Sequence, residues 1–177
     1  MADVYVTINA PLGPMDRGDR FEDPLSDLLE GKVRGFEVTG GGTSVSKTGL
    51  SNCDIDMAFE EPADDVLPAI IAALEKLGAP KGSVARIGGK DKTVKFGSTE
   101  GVAVHLPGLD DAAGIQALIG RCDAGIGGAG EFWTGWTNAE EAVLCFYGPS
   151  AQRLRELLPP VLGEEPAARG WRFEPLT

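Results

Sequence analysis

Residues 59–74, FEEPADDVLPAIIAAL, decide the fold because a similar stretch, FYGPSAQRLRELLPPV, recurs 87 positions later at residues 146–161. Each stretch begins with a phenylalanine that is followed three residues later by a proline. The apolar positions then step by three, one and three residues, the spacing of one helical face. We therefore predict the end of a strand, a turn and a helix, built twice. The matched apolar pairs are Leu67 with Leu154, Ile70 with Leu157, Ile71 with Leu158, and Leu74 with Val161.

A matching strand opens each half of the chain. VYVTI at residues 4–8 and VAVHL at residues 102–106 both alternate and are rich in β-branched side chains. Their offset is 98 positions, so the first half carries 11 extra residues. We place the extra residues in the Pro-, Gly- and Asp-rich segment 10–24 and expect a loop there.

Each half then reads as strand, helix, strand, strand, helix, strand. This order predicts an α+β chain of tandem ferredoxin-like (split βαβ) repeats, with antiparallel sheets and helices on one face. The predicted strands are 3–9, 34–39, 53–59, 83–87, 101–106, 130–137, 142–147 and 169–174, with 93–97 as a further candidate, and the predicted helices are 24–30, 64–77, 110–121 and 150–158.

The same order predicts the domain organisation. Residues 1–90 form the first ferredoxin-like half and residues 98–177 the second. The segment 88–98, GGKDKTVKFGS, is expected to link them. Helices on one side of each sheet leave the other sheet face open to a partner or a ligand.

Composition narrows the classes of function. The net charge is −11, so nucleic-acid binding is not expected, while attraction to a basic partner is. The longest apolar run, residues 67–74, is too short to span a bilayer, and the first ten residues do not resemble a signal peptide. The three cysteines, an odd count without a CxxC spacing, favour reduced thiols and a cytoplasmic location.

The stretch GGGTSVSKTGLSNCDID, residues 40–56, carries the strongest chemical pattern. A Gly-Thr pair followed 11 to 12 residues later by Asp-x-Asp resembles the signature of the polymerase-β-like nucleotidyltransferases. That resemblance implies a triphosphate held at the turn around Thr43, with Lys47 nearby. It also implies Mg²⁺ ions on Asp54 and Asp56, which point to the same face of a strand.

Other observations favour a structural role for this stretch. Residues 35–39 before the glycines have a strand pattern, whereas that family has a helix there. At the 87-residue offset, Gly40 and Gly41 fall on Gly127 and Gly128, so we interpret both pairs as hairpin turns. Asp54 and Asp56 then lie on the solvent side of a strand whose buried side carries Cys53, Ile55, Met57 and Phe59.

The cluster GEFWTGWTN, residues 130–138, is a second candidate for binding, because tryptophan is favoured at hot spots. Regular alternation places Phe132 and Trp136 on one sheet face and Trp133 on the other; both tryptophans could instead complete the core. The lone histidine, His105, is expected to be a surface or hydrogen-bonded structural residue, since neither a catalytic triad nor a metal-ligand pattern accompanies it.

Three hypotheses follow. The preferred one is a non-enzymatic acidic binding module without a cofactor, of the inhibitor or immunity-protein kind, that binds a basic protein partner. Its contacts would come from the open sheet faces and the segments 10–24 and 40–52, with Asp54, Asp56, Thr43, Lys47, Trp133 and Trp136 as candidate binding residues. The alternatives are a small-ligand regulatory domain that binds a metabolite between its halves, and a Mg²⁺-dependent nucleotidyltransferase-like enzyme using Asp54 and Asp56. A homodimer through a sheet edge or an open sheet face is a further expectation.

Overall fold

The structure, a computed structural model, describes residues 1–46 and 49–176. The chain forms two compact units, Met1–Ser98 (unit one) and Thr99–Thr177 (unit two). Within the expected linker 88–98, residues Thr93–Phe96 form a strand that pairs with the preceding strand of unit one. That part of the segment therefore belongs to the sheet of unit one.

Unit one follows the predicted order of elements, and the candidate strand 93–97 is present at its end as Thr93–Phe96. Helix α3 begins after Pro62 and carries its apolar residues on the face that packs against the sheet. The elements are β1 (Ala2–Ile8), α1 (Pro14–Arg17), a π-helical turn (Gly18–Glu22), α2 (Asp23–Leu29), β2 (Glu37–Ser46), β3 (Gly49–Phe59), α3 (Ala63–Lys76), β4 (Ser83–Ile87) and β5 (Thr93–Phe96).

The sheet of unit one is antiparallel, in the order β2, β3, β1, β4, β5. Strand alternation puts Val4, Val6 and Ile8 on the side of the helices, where they are buried. Ile55 and Met57 of β3 lie on the same side and complete this core. The other side of the sheet is not covered by the helices of unit one.

The expectation of a loop over residues 10–24 is wrong for most of that segment, because residues 14–29 are helical throughout. Pro14 starts the first turn, a position where its missing N–H costs no hydrogen bond. Phe21 and Leu25 are fully buried and hold the helical segment on the core. The Pro/Gly/Asp composition of the segment concealed Phe21, which lies one helical turn before Leu25.

Unit two repeats the topology with four strands in the order β7, β8, β6, β9, all antiparallel. Helix α4 begins after Asp111, whose carboxylate accepts a hydrogen bond from the Gly114 N–H. At the start of α5, the Ser150 hydroxyl accepts a hydrogen bond from the Arg153 N–H. The elements are β6 (Glu100–Pro107), α4 (Ala112–Ile126), β7 (Glu131–Thr137), β8 (Glu141–Gly148), α5 (Ala151–Gly163), a 3-10 turn (Pro166–Ala168) and β9 (Arg172–Pro175).

The predicted fold class is confirmed: both units have the βαββαβ order, an antiparallel sheet and helices on one face. In unit two the helix-facing core joins Val102 and Val104 of β6 to Leu118 of α4 and Leu154 of α5. Over residues 1–46 and 49–176, the helices are all too short or too polar to cross a lipid bilayer.

Candidate functional site

The interpretation of the glycine pairs as hairpin turns is wrong. Gly40, Gly41 and Gly42 lie inside strand β2, paired with Asp56, Ile55 and Asp54 of β3. In unit two, Gly127 and Gly128 instead follow helix α4 with positive φ angles of 52° and 83°, and Gly127 caps that helix. The 87-residue offset that matches the two glycine pairs is therefore a coincidence. The same offset does relate β3 and α3 to β8 and α5.

The uncovered side of the sheet in unit one, called the open face below, collects side chains from all of its inner strands. Tyr5 lies at its centre and is 45% exposed. Because directly paired residues of neighbouring strands point to the same side, the register defines two rows across the sheet. The rows are Gly40, Asp56, Tyr5, Arg86, Thr93 and Gly42, Asp54, Thr7, Val84, Lys95.

Asp54 and Asp56 stand side by side on the open face. The Thr7 hydroxyl donates a hydrogen bond of 2.7 Å to Oδ1 of Asp54, which orients that carboxylate. Toward the sheet edge, both carboxylates have only glycine beside them. A Cβ added to Gly40 would lie 3.5 Å from Oδ2 of Asp56, and one added to Gly42 would lie 3.9 Å from Oδ2 of Asp54.

Charge is divided across the open face. Asp54 and Asp56 on β3, together with the exposed Asp3 on β1, make the β2 side acidic. Arg86 on β4 and Lys95 on β5 make the opposite side basic, and Tyr5 lies between the two groups. The acidic side, with its glycine border, is the part suited to receive a cationic group.

Thr43, a predicted binding residue, belongs to the other side of the sheet. Its hydroxyl donates to the Leu12 carbonyl at 3.0 Å and accepts from Nη1 of Arg17 at 3.3 Å. Nε of Arg17 in turn donates to Oε1 of Glu22 at 2.6 Å, and the Arg17 and Glu22 side chains are 10% and 20% exposed. Thr43 therefore anchors a largely buried ion pair.

This geometry does not assemble the site implied by the resemblance to nucleotidyltransferases. The glycines are strand residues, and Thr43 is separated by the sheet from the open face that carries Asp54 and Asp56. Lys47 lies outside the described residues. Among residues 1–46 and 49–176, no cluster of three or more His, Cys, Asp and Glu side chains is arranged to hold a metal ion.

The two candidate tryptophans lie on one sheet face and Phe132 on the other, so the prediction that Phe132 and Trp136 share a face is wrong. A β-bulge between Phe132 and Thr134 shifts the register by one residue. Phe132 packs into the helix-facing core, while Trp136 pairs with Val143 on the opposite side. Trp133 is buried and stacks on Tyr147 with ring centroids 4.1 Å apart. A buried, stacked Trp133 presents little surface to a partner.

His105 is a hydrogen-bonded structural residue, as its pattern predicted. Nδ1 lies 2.8 Å from Oε1 of Glu141 and Nε2 lies 3.0 Å from Oε2 of Glu174, while Nη2 of Arg172 donates to Oε2 of Glu141 at 3.1 Å. Each ring nitrogen of His105 therefore faces a carboxylate oxygen, one on β8 and one on β9. The cluster joins β6 to its two neighbouring strands.

All three cysteines are free and buried. Burial raises the pKa of the Cys53 thiol to about 12, although the nearby Arg17 charge acts in the opposite direction. Burial likewise raises the pKa of Cys145 to about 12 and that of Cys122 to about 11. The thiolate forms are therefore scarce at neutral pH, which does not favour a nucleophilic role.

Sequence reasoning missed Tyr5, Thr7, Arg86 and Lys95 as members of the open face. The alternation in VYVTI already placed Tyr5 and Thr7 opposite the core residues. For Arg86 and Lys95, the strand pairing was needed, because alternation alone does not say which strands are neighbours.

Comparisons with known proteins add no assignment. No protein-family model and no curated protein matches the sequence. Among solved structures, the regulatory subunit of aspartate kinase from Thermus thermophilus is 13% identical over 93% of each chain with a TM-score of 0.31. The first two RRM domains of yeast poly(U) binding protein are 14% identical over 99% of each chain, with a TM-score of 0.29. At these identities and TM-scores, the likenesses carry no argument about function.

Proposed function

We propose that this chain is a non-enzymatic binding module that receives a basic protein partner on the acidic side of its open face. The observation that carries the proposal is the pair of half-buried carboxylates, Asp54 and Asp56, bordered by Gly40 and Gly42 on the open face. Lysine or arginine side chains can approach there without displacing another side chain. The net charge of −11 adds a long-range attraction.

The contact is expected to be specific rather than a general effect of charge. Thr7 orients the Asp54 carboxylate before a partner arrives, so less ordering is required on binding. Tyr5 supplies an exposed aromatic surface next to Asp56, and aromatic residues are favoured at interfaces. A partner therefore meets an oriented acceptor, Asp54, in one row of the sheet and an aromatic contact, Tyr5, in the adjacent row.

The test replaces both carboxylates with amides. Asp54→Asn/Asp56→Asn is expected to weaken binding of a fluorescent arginine- and threonine-rich peptide by at least about tenfold, because charge-assisted hydrogen bonds are lost. Fluorescence anisotropy at several salt concentrations measures the affinity, and the salt dependence should decrease in the variant.

Asp64→Asn/Asp65→Asn is the matched control, since it removes the same charge from helix α3 on the helical side of the sheet. That variant should keep most of the affinity. Equal losses in the two variants would mean that net charge alone attracts the peptide, and the proposal would then be wrong.

A small-ligand regulatory domain is the second candidate, and clefts beside helix α2 favour it. Two adjoining clefts of about 430 and 440 Å³ share Gly31, Val33 and Gly35 as lining residues. Volumes of this size suit a small molecule. Acidic Glu30 lines the first cleft and basic Lys32 lines the second, which suits a zwitterionic ligand such as an amino acid that spans the two.

This second candidate predicts that at least one of the standard amino acids stabilises unit one. Stabilisation would slow alkylation of the buried Cys53 in mild denaturant, because a ligand that binds the native state lowers the unfolded fraction. Glu30→Gln should abolish the effect, whereas Glu37→Gln on strand β2 should not. A panel in which no amino acid slows the alkylation contradicts this candidate.

A further inference from the structure

Strand β2 is an edge strand whose outer side faces solvent. It lies at the end of the strand order β2, β3, β1, β4, β5 among the described residues. Thr39, Gly40 and Gly41 are exposed, and Val45 is 75% exposed. An edge strand has unpaired backbone N–H and C=O groups, with which an extended segment of another chain can pair.

The longest uninterrupted run of regular pairing in β2 covers four residues. Register shifts occur between Val38 and Gly40 and again between Thr43 and Val45. Between them, Gly40 to Thr43 pair residue by residue with β3. Bulges discourage strand addition where they occur, so Gly40–Thr43 is the part of the edge that can receive a partner strand.

The side chains around this segment select the partner. On the open face, Gly40 and Gly42 have no side chains, and the carboxylates of Asp56 and Asp54 lie next to them. A strand added outside β2 would lie about 4.8 Å from it. Long cationic side chains on that strand can therefore extend over the glycines to the carboxylates, while short side chains fall short.

Spacing adds a further restriction. Gly40 and Gly42 are two residues apart, and successive side chains of a strand alternate between its faces. The two cationic side chains must therefore also be two residues apart. Between them, the partner's side chain points to the side where Arg17 and Glu22 lie against Gly41, and only a small residue fits.

We propose, building on the proposed function, that the partner contributes an extended segment with lysine or arginine at alternate positions and a small residue between them. This segment adds to β2 along Gly40–Thr43 as a new edge strand. Its backbone pairs with β2, and its two cations bind Asp54 and Asp56 across the glycines.

Two peptides of equal composition test the spacing: Thr-Arg-Thr-Arg-Thr-Val and Thr-Thr-Arg-Arg-Thr-Val. The alternating peptide is expected to bind at least about tenfold more tightly, because both of its arginines reach the acidic side together. N-methylation of its edge-facing amides should remove that advantage, since the backbone pairing is lost. Hydrogen exchange should slow at Gly40–Thr43 when the alternating peptide binds.

A variant of the protein tests whether the partner's cationic side chains cross over Gly40 and Gly42. Gly40→Thr/Gly42→Thr puts side chains where the partner's cations must cross, and the added Cβ atoms make only ordinary contacts. Binding of the alternating peptide should fall by at least about tenfold. If Cys53 becomes reactive in this variant, unit one has been disturbed, and the N-methylated peptide then decides the question.

The outcomes separate this inference from the proposed function. Equal binding of both peptides, lost in Asp54→Asn/Asp56→Asn, would overturn strand addition and keep the proposed function. Binding of neither peptide would overturn both. A concentration-dependent dimer in sedimentation experiments that Gly40→Thr/Gly42→Thr abolishes would mean that the edge receives a second copy of this chain, and the peptide proposal would be wrong.

Discussion

Replacing Gly41 with alanine is expected to destabilise unit one by about 3 kcal/mol, because the new methyl group has no space. A Cβ at this position would lie 2.4 Å from the backbone oxygen of Asp54 in the neighbouring strand. It would also lie 3.0 Å from Oε1 of Glu22 and 3.2 Å from Cζ of Arg17. Strand β2 must therefore move from β3, or the ion pair beneath it must separate.

Gly42→Ala is the matched control, since its Cβ would meet only Oδ2 of Asp54 at 3.9 Å, an ordinary contact. That variant should change the free energy of unfolding by less than about 1 kcal/mol. Pulse alkylation of Cys53 across a urea series follows unit one, in which Cys53 is the lone cysteine. Equal midpoints for the two alanine variants would contradict the close approach at Gly41.

The order of strands and helices could be predicted because periodicity is a local property. The starts of α3 and α5 are predicted to within one residue by the stretch FEEPADDVLPAIIAAL and its counterpart. Helix α5 nevertheless runs to Gly163, beyond the predicted end at residue 158, although it contains Pro159 and Pro160. Buried Leu162 makes the extra turn favourable, and such packing is not visible in local propensity.

The glycine run shows where local reasoning fails. Three glycines suggest a turn, and they gave no local sign of a strand. In the structure, Gly41 is needed because Arg17 and Glu22, which lie 24 and 19 residues away in sequence, occupy the space beside β2. A close approach between distant segments determines the residue type here, and a single sequence does not contain that information directly.

For the same reason, only part of the candidate site could be predicted from the sequence. Alternation along β3 placed Asp54 and Asp56 on the solvent side, and the burial of Cys53 and Ile55 bears that out. Their neighbours Gly40 and Gly42 come from another strand and depend on register. In unit two, alternation failed, because the bulge after Phe132 reversed the expected face of Trp136.

Arg17→Met is expected to cost unit one about 3 kcal/mol, the second large effect. The substitution leaves the Glu22 carboxylate, 20% exposed, without its cation and removes the donor that reaches Thr43. A charge that is largely removed from water and has lost its partner is costly. For a unit of this size, the loss corresponds to a fall in melting temperature of more than about 10 °C.

Arg17→Met/Glu22→Leu distinguishes the cost of an unpaired charge from the cost of lost packing. With both charges gone, stability should return to within about 1 kcal/mol of the original protein, because two apolar side chains can fill the same space without a desolvation penalty. Cys53 alkylation in urea again measures unit one, while the fluorescence of Trp133, Trp136 and Trp171 reports unit two and should not change. A double variant as unstable as Arg17→Met alone would show that the pair holds the helical segment by its specific hydrogen bonds, and that the unpaired Glu22 charge is not the main cost.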